Sequence, residues 1–355
     1  MKIILIDGID YIEKKIVQVV TRDYTKIKFP DNTIVKIFFI VYIFYLRFIL
    51  KYKYLITFND NSKDIQKISR FLNFKKAFYI QNGYRSAREL NTKYKNNLDI
   101  FFCFGNSVEQ QFKFYGHHAN KFIPVGSILF DEFKQFKSKK SLFQLNFNKS
   151  YFKKQPDNFD ICLVSQWKKR FFEEKSGAHL KEKKSMEKID LFLDRIQRDL
   201  NLKVIIATKT SLDEEIEEYN YYQNLNKNFY ITKKTKFSSF LAVEKSKIIL
   251  SFYSTLAFES VCMKKKFLFC NFSSDKVYAN LKDGPWILKE ENYQAFKKKI
   301  SYLKKISGHR YYKKNKTYFN KLMLIGNKCT SAELITNEIL KNNTCNNKDL
   351  NEKIY

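Results

Sequence analysis

Lys247 to Asn271 reads KIILSFYSTLAFESVCMKKKFLFCN, and this stretch decides the fold class. The apolar run Ile248-Ile249-Leu250 gives way to small hydroxyl residues, Ser251, Ser254 and Thr255. A helical pattern carrying Glu259 follows, and then a second apolar run, Phe267 to Cys270. Strand, loop, helix and strand in so short a span is the rhythm of a parallel α/β sheet. In such sheets ligands bind at the carboxyl ends of the strands. The pattern places Ser254 and Thr255 at the opening of the helix, where free N–H groups and the helix dipole attract phosphate. Glu259 lies four residues beyond Thr255, on the same side one turn further in, where a carboxylate can accept both hydroxyls of a ribose. The plain structural alternative is a Ser254 helix cap and a solvated surface acid at Glu259.

Working outward, the second half alternates regularly. The strand Phe159–Val164 precedes a polar helix near Lys181–Leu200, the strand Lys203–Ala207, the helix Leu212–Gln223 and the strand Asn228–Thr232. A helix near Ser238–Lys245 then leads into Lys247–Ser251. The first half carries strand-like runs at Ile3–Ile6, Tyr54–Phe58, Lys76–Ile80, Ile100–Phe104 and Phe122–Val125, with helical patterns at Lys63–Leu72 and Ser107–Tyr115 between them. The expected architecture is α/β, with two Rossmann-like doubly wound domains facing a cleft. A chain of 355 residues agrees with two cores. The expected bounds are a first domain over 1–140, a linker over 141–157, a second domain over 158–310, C-terminal helices over 311–341 and a disordered tail over 342–355.

Composition narrows the function. Hydrophobic residues make up 44% and aromatics 17%, enough for well-packed interiors rather than general disorder. The net charge of +30 has three readings: nucleic acid, an anionic membrane surface, or a bias toward Lys, Asn, Ile and Phe. No Cys/His finger, paired aromatic RNP run or basic heptad region supports nucleic acid, so the membrane surface ranks above it. Ile37–Leu50 (IFFIVYIFYLRFIL) is the most apolar segment, yet it falls short of the ~20 residues that span a bilayer. It reads as a core or interfacial helix, and with the basic balance it suggests a cytoplasmic protein peripheral to the inner face of the membrane. Six scattered cysteines without a CxxC pair read as reduced, buried thiols. The four histidines show no metal-ligand spacing. No GxxxxGK[ST] loop, GxGxxG fingerprint or GxSxG elbow occurs, which removes the P-loop ATPase, simple dehydrogenase and α/β-hydrolase readings.

Other strand ends carry polar residues. Asp60-Asn61 follows Tyr54–Phe58, and Gln81-Asn82-Gly83-Tyr84-Arg85 follows Lys76–Ile80. Gly83 there suits a tight turn and Arg85 an anionic group, although an ordinary Asn-Gly turn reads equally well. Gln166, Lys168 and Arg170 follow Phe159–Val164, and Lys209 ends the next strand. Such cations can hold a diphosphate, with a solvated basic loop as the competitor.

The order QNGYR, DIFFCFG, KFIPVGS, SFYSTLAFES and KKKFLFCN resembles GT-B glycosyltransferases of bacterial surface-carbohydrate synthesis. It is most similar to the surface carbohydrate biosynthesis group, with looser similarity to capsule Kdo transferases and to CDP-glycerol glycerophosphotransferases. The likeness runs from Leu55 to Asn271. It implies a nucleotide-sugar donor on the second domain, with Ser254 and Thr255 at the phosphate and Glu259 at the ribose. Lys168, Arg170 and Lys209 would then lie at the leaving diphosphate, and Gln166 would also bind the donor. It implies a glycan or lipid-linked acceptor near Asn61, Gln81, Asn82, Gly83 and Arg85, with Asp60 first and His117 and His118 next as the catalytic base. No bound metal and no cofactor are implied, the nucleotide sugar being a substrate. A polyol-phosphate transferase and a non-catalytic glycan- or nucleotide-binding protein are the alternatives. Two features depart from the family pattern: only Gly8 stands near the first strand, and Met263-Lys264-Lys265 replaces the usual glycine after the helix.

Overall fold

The computed structural model describes residues 1–139, 158–169, 178–209, 214–273, 281–326 and 328–351. Two compact units emerge from it. The first comprises Met1–Tyr84, Leu90–Glu132 and the chain from Asn320 onward, and the second Arg85–Glu89 with Phe133–Phe319. Arg85, expected with the first domain, is thus counted with the second unit.

Six strands form the sheet of the first unit: β1 (Ile3–Ile6), β2 (Tyr24–Ile27), β3 (Tyr54–Thr57), β4 (Lys76–Ile80), β5 (Asn97–Cys103) and β6 (His118–Pro124), in the order β2-β1-β3-β4-β5-β6. Every pairing is parallel, from Ile3↔Tyr24 at one side to Cys103↔Pro124 at the other. Parallel strands are buried on both faces and therefore read as continuous apolar runs. Ile3 to Ile6 are all fully buried. Alternate residues feed opposite faces. Ile3, Leu5, Ile56, Phe78, Ile80 and Phe102 pack with Ile12, Ile16, Ile335 and Ile339, so the helix Ser331–Asn351 closes one face. On the other face the Phe101 ring meets Phe112 at 5.1 Å. That last helix runs to Asn351, through the stretch from Asn342 expected as a disordered tail. β2 escapes sequence reading because it is a half-exposed edge strand interrupted by Lys26.

The second sheet joins β7 (Phe159–Val164), β8 (Val204–Ala207), β9 (Tyr230–Ile231), β10 (Ser246–Ser251), β11 (Lys266–Cys270) and β12 (Ile287–Leu288) in the order β12-β11-β10-β7-β8-β9. It is likewise parallel throughout. These two sheets make the two-domain α/β fold of the GT-B type. The linker expected over 141–157 lies outside the described residues, and the helix Ile128–Lys139 leads up to it. Cys103, Cys162 and Cys270 are buried free thiols, whereas Cys262 is half-buried and Cys329 exposed.

The substituted glycine after the motif helix has a local solution. The helix Thr255–Glu259 runs on as a 3₁₀ turn, Ser260–Met263, and Lys264 caps it at φ 55° and ψ 31°. The left-handed region costs a side-chain-bearing residue roughly 1–2 kcal/mol and costs glycine little. Its neighbour Lys266 is buried and donates to the carbonyls of Leu303 (2.6 Å) and Ile306 (3.0 Å), closing the end of the helix Tyr293–Lys305. Lys264→Gly is expected to raise stability by about 1 kcal/mol, seen as a higher thermal unfolding midpoint; an unchanged or lower midpoint would mean that the lysine side chain offsets its backbone strain.

Candidate functional site

The order of the second sheet creates one divergence. From β7 the chain steps to β8 and β9 on one side, and β10 returns on the other side of β7. The loops leaving β7 and β10 therefore part at their carboxyl ends, and the crevice at such a reversal is where doubly wound sheets take ligands. Both expected loops stand here. The pairing Leu250↔Leu163 sets Ser251 beside Val164, whose carbonyl accepts from Ser251 Oγ (3.5 Å). Ser251 Oγ in turn accepts the Ser254 N–H (3.1 Å), and Gln166 Oε1, from the β7 loop, accepts the Tyr253 N–H (2.8 Å). Ser254 is extended at φ −76° and ψ 139° and caps the following helix, accepting the Leu256 N–H at 3.3 Å. Tyr253, Ser254 and Thr255 are half-exposed, while Glu259 is only 2% exposed. Glu259 is therefore an inward-facing acid, not a solvated one.

The expected cations divide. Lys168 lies 3.8 Å from Glu182, a buried carboxylate that also pairs with Arg88. Lys209 is exposed at the end of β8; its N–H donates to the buried Glu218 carboxylate (3.2 Å), and its carbonyl accepts from Lys234 (2.7 Å). Arg170 lies outside the described residues. Behind the β7 loop runs a polar layer that no motif announces. Ser165 Oγ accepts the Trp167 N–H (3.1 Å) and shares a hydrogen bond with Tyr222 (3.0 Å). Tyr221 donates to Asp190 Oδ2 at 2.8 Å. Burial pushes the Asp190 carboxyl up to about 8, with Glu187 and Glu218 adding to the effect against the Tyr221 bond. Asp190 is thus a protonated acid at neutral pH.

In the first unit the carboxyl edge holds Asp60, Asn61, Gln81, Asn82 and Gly83. Asp60 is fully buried, its Oδ1 accepting the Asn82 N–H (3.2 Å) and its carbonyl accepting from Gln66 (3.0 Å). Gln81 is buried too, donating to the Gly83 carbonyl (2.9 Å) and accepting the Phe104 N–H (2.8 Å). These two side chains hold the β4 and β5 loops in place, whereas Asn61 is exposed and Asn82 half-exposed. The two histidines sit elsewhere. His118 opens β6, so His117 and His118 stand at the amino edge, opposite these loops. Both nitrogens of His117 are engaged: Nδ1 accepts the Asn96 N–H (2.9 Å) and Nε2 donates to the Leu90 carbonyl (2.7 Å). As candidate bases the pair is corrected by this placement.

Sequence reading passed over a second reversal, between β1 and β3. Asp7, at φ 52°, accepts the Phe29 N–H (2.7 Å) and the Asn59 side-chain amide (2.9 Å), bridging the β2 and β3 loops. A cavity of about 490 Å³ opens there, lined by Asp7, Gly8, Lys26, Lys28, Phe29 and Asn59 among others. The signal was Asp-Gly directly after the apolar strand IILI, read only as a thin glycine loop. Among the described residues no group of three or more His, Cys, Asp or Glu is placed to hold a metal ion.

Two pH effects follow. An unfolded Asp190 releases its proton near pH 3.9, while the folded one keeps it to about 8, so folding binds the extra proton and stability falls as pH rises through that window. Asp190→Asn should be nearly neutral at pH 4 and increasingly stabilising up to pH 8, read by urea unfolding across pH. A constant difference would refute the raised carboxyl. Burial holds the His117 imidazole below its ordinary range, so its contribution to stability is lost as pH falls below about 6.5, where the unfolded ring charges. His117→Phe should cost about 1–3 kcal/mol for each backbone group it orphans, read as a lower urea unfolding midpoint.

Comparison with known proteins places this geometry. No curated protein sequence matches the chain. UDP-GlcNAc 2-epimerase from Methanocaldococcus jannaschii, solved with UDP-GlcNAc and UDP, superposes with TM-score 0.62 at 14% identity, over 96% of this chain and 100% of that one. The Neisseria meningitidis UDP-GlcNAc 2-epimerase bound to UDP-GlcNAc gives 0.58 at 13% identity, again over 96% and 100%. Anabaena HepE in complex with UDP and glucose gives 0.52 at 8% identity, over 97% and 100%. At these identities the likeness establishes the fold. A family model described as "putative O-antigen biosynthesis protein" matches residues 78–339, well over half of the sequence. The chain belongs to this O-antigen biosynthesis family.

Proposed function

We propose that the protein is a GT-B-type glycosyltransferase of O-antigen biosynthesis that takes a nucleotide sugar and passes the sugar to a surface-glycan or lipid-linked acceptor. The observation that carries this reading is the convergence of the Gln166 and Tyr253–Thr255 loops at the reversal of the second sheet, with Glu259 beneath. Support comes from the names of the similar structures, which record UDP, UDP-GlcNAc or glucose bound to the same fold.

In this reading the Ser254 and Thr255 hydroxyls and neighbouring N–H groups meet the diphosphate. Glu259 accepts the ribose hydroxyls, and its low-dielectric setting strengthens those hydrogen bonds. Gln166 orients the loop through Tyr253. The exposed Lys209 offsets charge on the leaving group, and such charge stabilisation is the main catalytic task when a diphosphate departs. The acceptor hydroxyl attacks the anomeric carbon, and the bond from that carbon to the diphosphate oxygen breaks. The electron pair leaves with the nucleoside diphosphate, and the acceptor's proton passes to a general base. Asn61, Gln81 and Asn82 belong to the acceptor side, with Asp60 acting as a positioning residue for Asn82 rather than as the base.

Titration calorimetry with CMP, CDP, UDP, GDP and ADP, with and without magnesium, tests the donor assignment. One nucleotide should bind selectively, and Glu259→Gln, which keeps the side chain's shape, should weaken it tenfold or more, about 1.4 kcal/mol. Absence of binding by every nucleotide, or unchanged affinity in the variant, sinks the assignment. NMR of the matching nucleotide sugar then separates the chemistries. Diphosphate release that depends on acceptor supports transfer. Inversion at a sugar carbon without acceptor indicates an epimerase, and formation of a phosphodiester indicates a polyol-phosphate transferase.

A further inference from the structure

The apolar segment of the first unit does not become core. It forms the helix Thr33–Phe44 and continues as a π-helical turn, Tyr45–Ile49. Only Phe39, Ile43 and Leu46 are buried in it, the spacing of one narrow inward stripe. Twelve large hydrophobic residues between Ile34 and Leu50 are exposed, and only seven others are exposed elsewhere among the described residues. Phe38 is 71% exposed and Val41 62%. A surface helix normally turns a polar face to water. Here the two cations inside the segment turn back to the protein instead. Lys36 pairs with Asp64 (3.1 Å), and Arg47 donates to the carbonyls of Leu72 (3.1 Å) and Asn73 (2.8 Å). What faces outward is aliphatic and aromatic, and Phe71, next to Leu72, extends it at 78% exposure.

We propose that this helix is an interfacial anchor that lies in the headgroup layer of an anionic lipid bilayer. An exposed apolar surface of this extent marks an interaction site. Three observations select lipid. First, the apolar surface wraps most of the helix circumference, a ridge that sinks into a deformable medium rather than a flat face for a rigid partner. Second, its outward residues include Phe38, Tyr42, Phe44, Tyr45 and Phe48, and aromatic rings concentrate at the headgroup level of membranes. Third, the edge is basic: Lys51, Lys53, Arg70 and Lys75 are exposed, and Lys2 donates to the Leu50 carbonyl at 3.1 Å. In a chain of net charge +30, two such edges repel each other, while an anionic leaflet attracts them. Seventeen residues from Thr33 to Ile49 extend about 25 Å along a helix axis. No described helix is long and apolar enough to cross a membrane, so the segment lies along the surface, as amphipathic and apolar anchors do. The proposal does not depend on the nucleotide-sugar reading, since lipid binding is measured without nucleotide.

The test is co-sedimentation of the full chain with vesicles of phosphatidylcholine alone or mixed with phosphatidylglycerol, at low and high salt. The protein should pellet with the anionic vesicles, and salt should weaken the association. Phe38→Ser/Val41→Ser, at exposed positions, should leave the circular dichroism spectrum unchanged and lower partitioning tenfold or more. Lys51→Glu/Lys53→Glu should remove much of the salt dependence. Equal pelleting with neutral vesicles, or partitioning untouched by the apolar double variant, overturns the proposal. So does a dimer in sedimentation velocity that the double variant dissociates, which would assign the face to a second copy.

Discussion

Parallel strand pairing is the constraint from which the functional architecture descends. A parallel ladder requires a crossover between consecutive strands, so every loop that follows a strand emerges on the same edge. Helices cover both faces, and chemistry is left only that edge. Within it, loops spread apart only where strand order reverses. In the second unit this falls between β7 and β10, where the pairing Ile249↔Cys162 and Leu250↔Leu163 sets the height at which Gln166 meets Tyr253. A slip of one residue would turn Ser251 and its bonds to the opposite face. The hydrogen bonds of Ser251, Ser254 and Gln166 are thus consequences of register.

Charge is distributed against the average of the chain. Although Lys and Arg outnumber Asp and Glu by 66 to 36, the second unit buries Glu182, Asp190, Glu218 and Glu259. Burying a carboxylate is costly unless it is paired, bonded or neutralised. Glu182 has Arg88 and Lys168, Glu218 accepts the Lys209 N–H, and Asp190 keeps its proton. The excess cations stay outside, where they are hydrated and cost little. A basic exterior and an acid-bearing interior coexist because Glu182, Glu218 and Asp190 are each satisfied or neutralised locally.

Much of this was legible in order but not in placement. The strands Ile3–Ile6, Lys76–Ile80, Phe159–Val164 and Phe267–Cys270 announced themselves because both-face burial leaves runs that are almost wholly apolar, Lys76 and Asp160 being the exceptions. The Ser254 cap was readable for a similar reason, being a local bond between a side chain and an N–H two residues on. Two of the four edge strands were not: β2 carries Lys26 and is half-exposed, and β12 is two residues long. His117 illustrates the opposite error. An adjacent pair of histidines suggests chemistry, but this ring bonds Asn96 and Leu90, partners more than twenty residues away that no local pattern signals.

The sequence by itself determined the class of fold and the segments that could carry a ligand, since periodicity and capping are local properties of the chain. Only the tertiary structure decided which strand ends share an edge and which acids lie inside. It also decided that the most apolar helix faces outward. The physical reason is that sheet order, register and burial are settled by contacts between residues distant in the chain, and composition cannot distinguish an apolar helix that packs inward from one that lies on the surface.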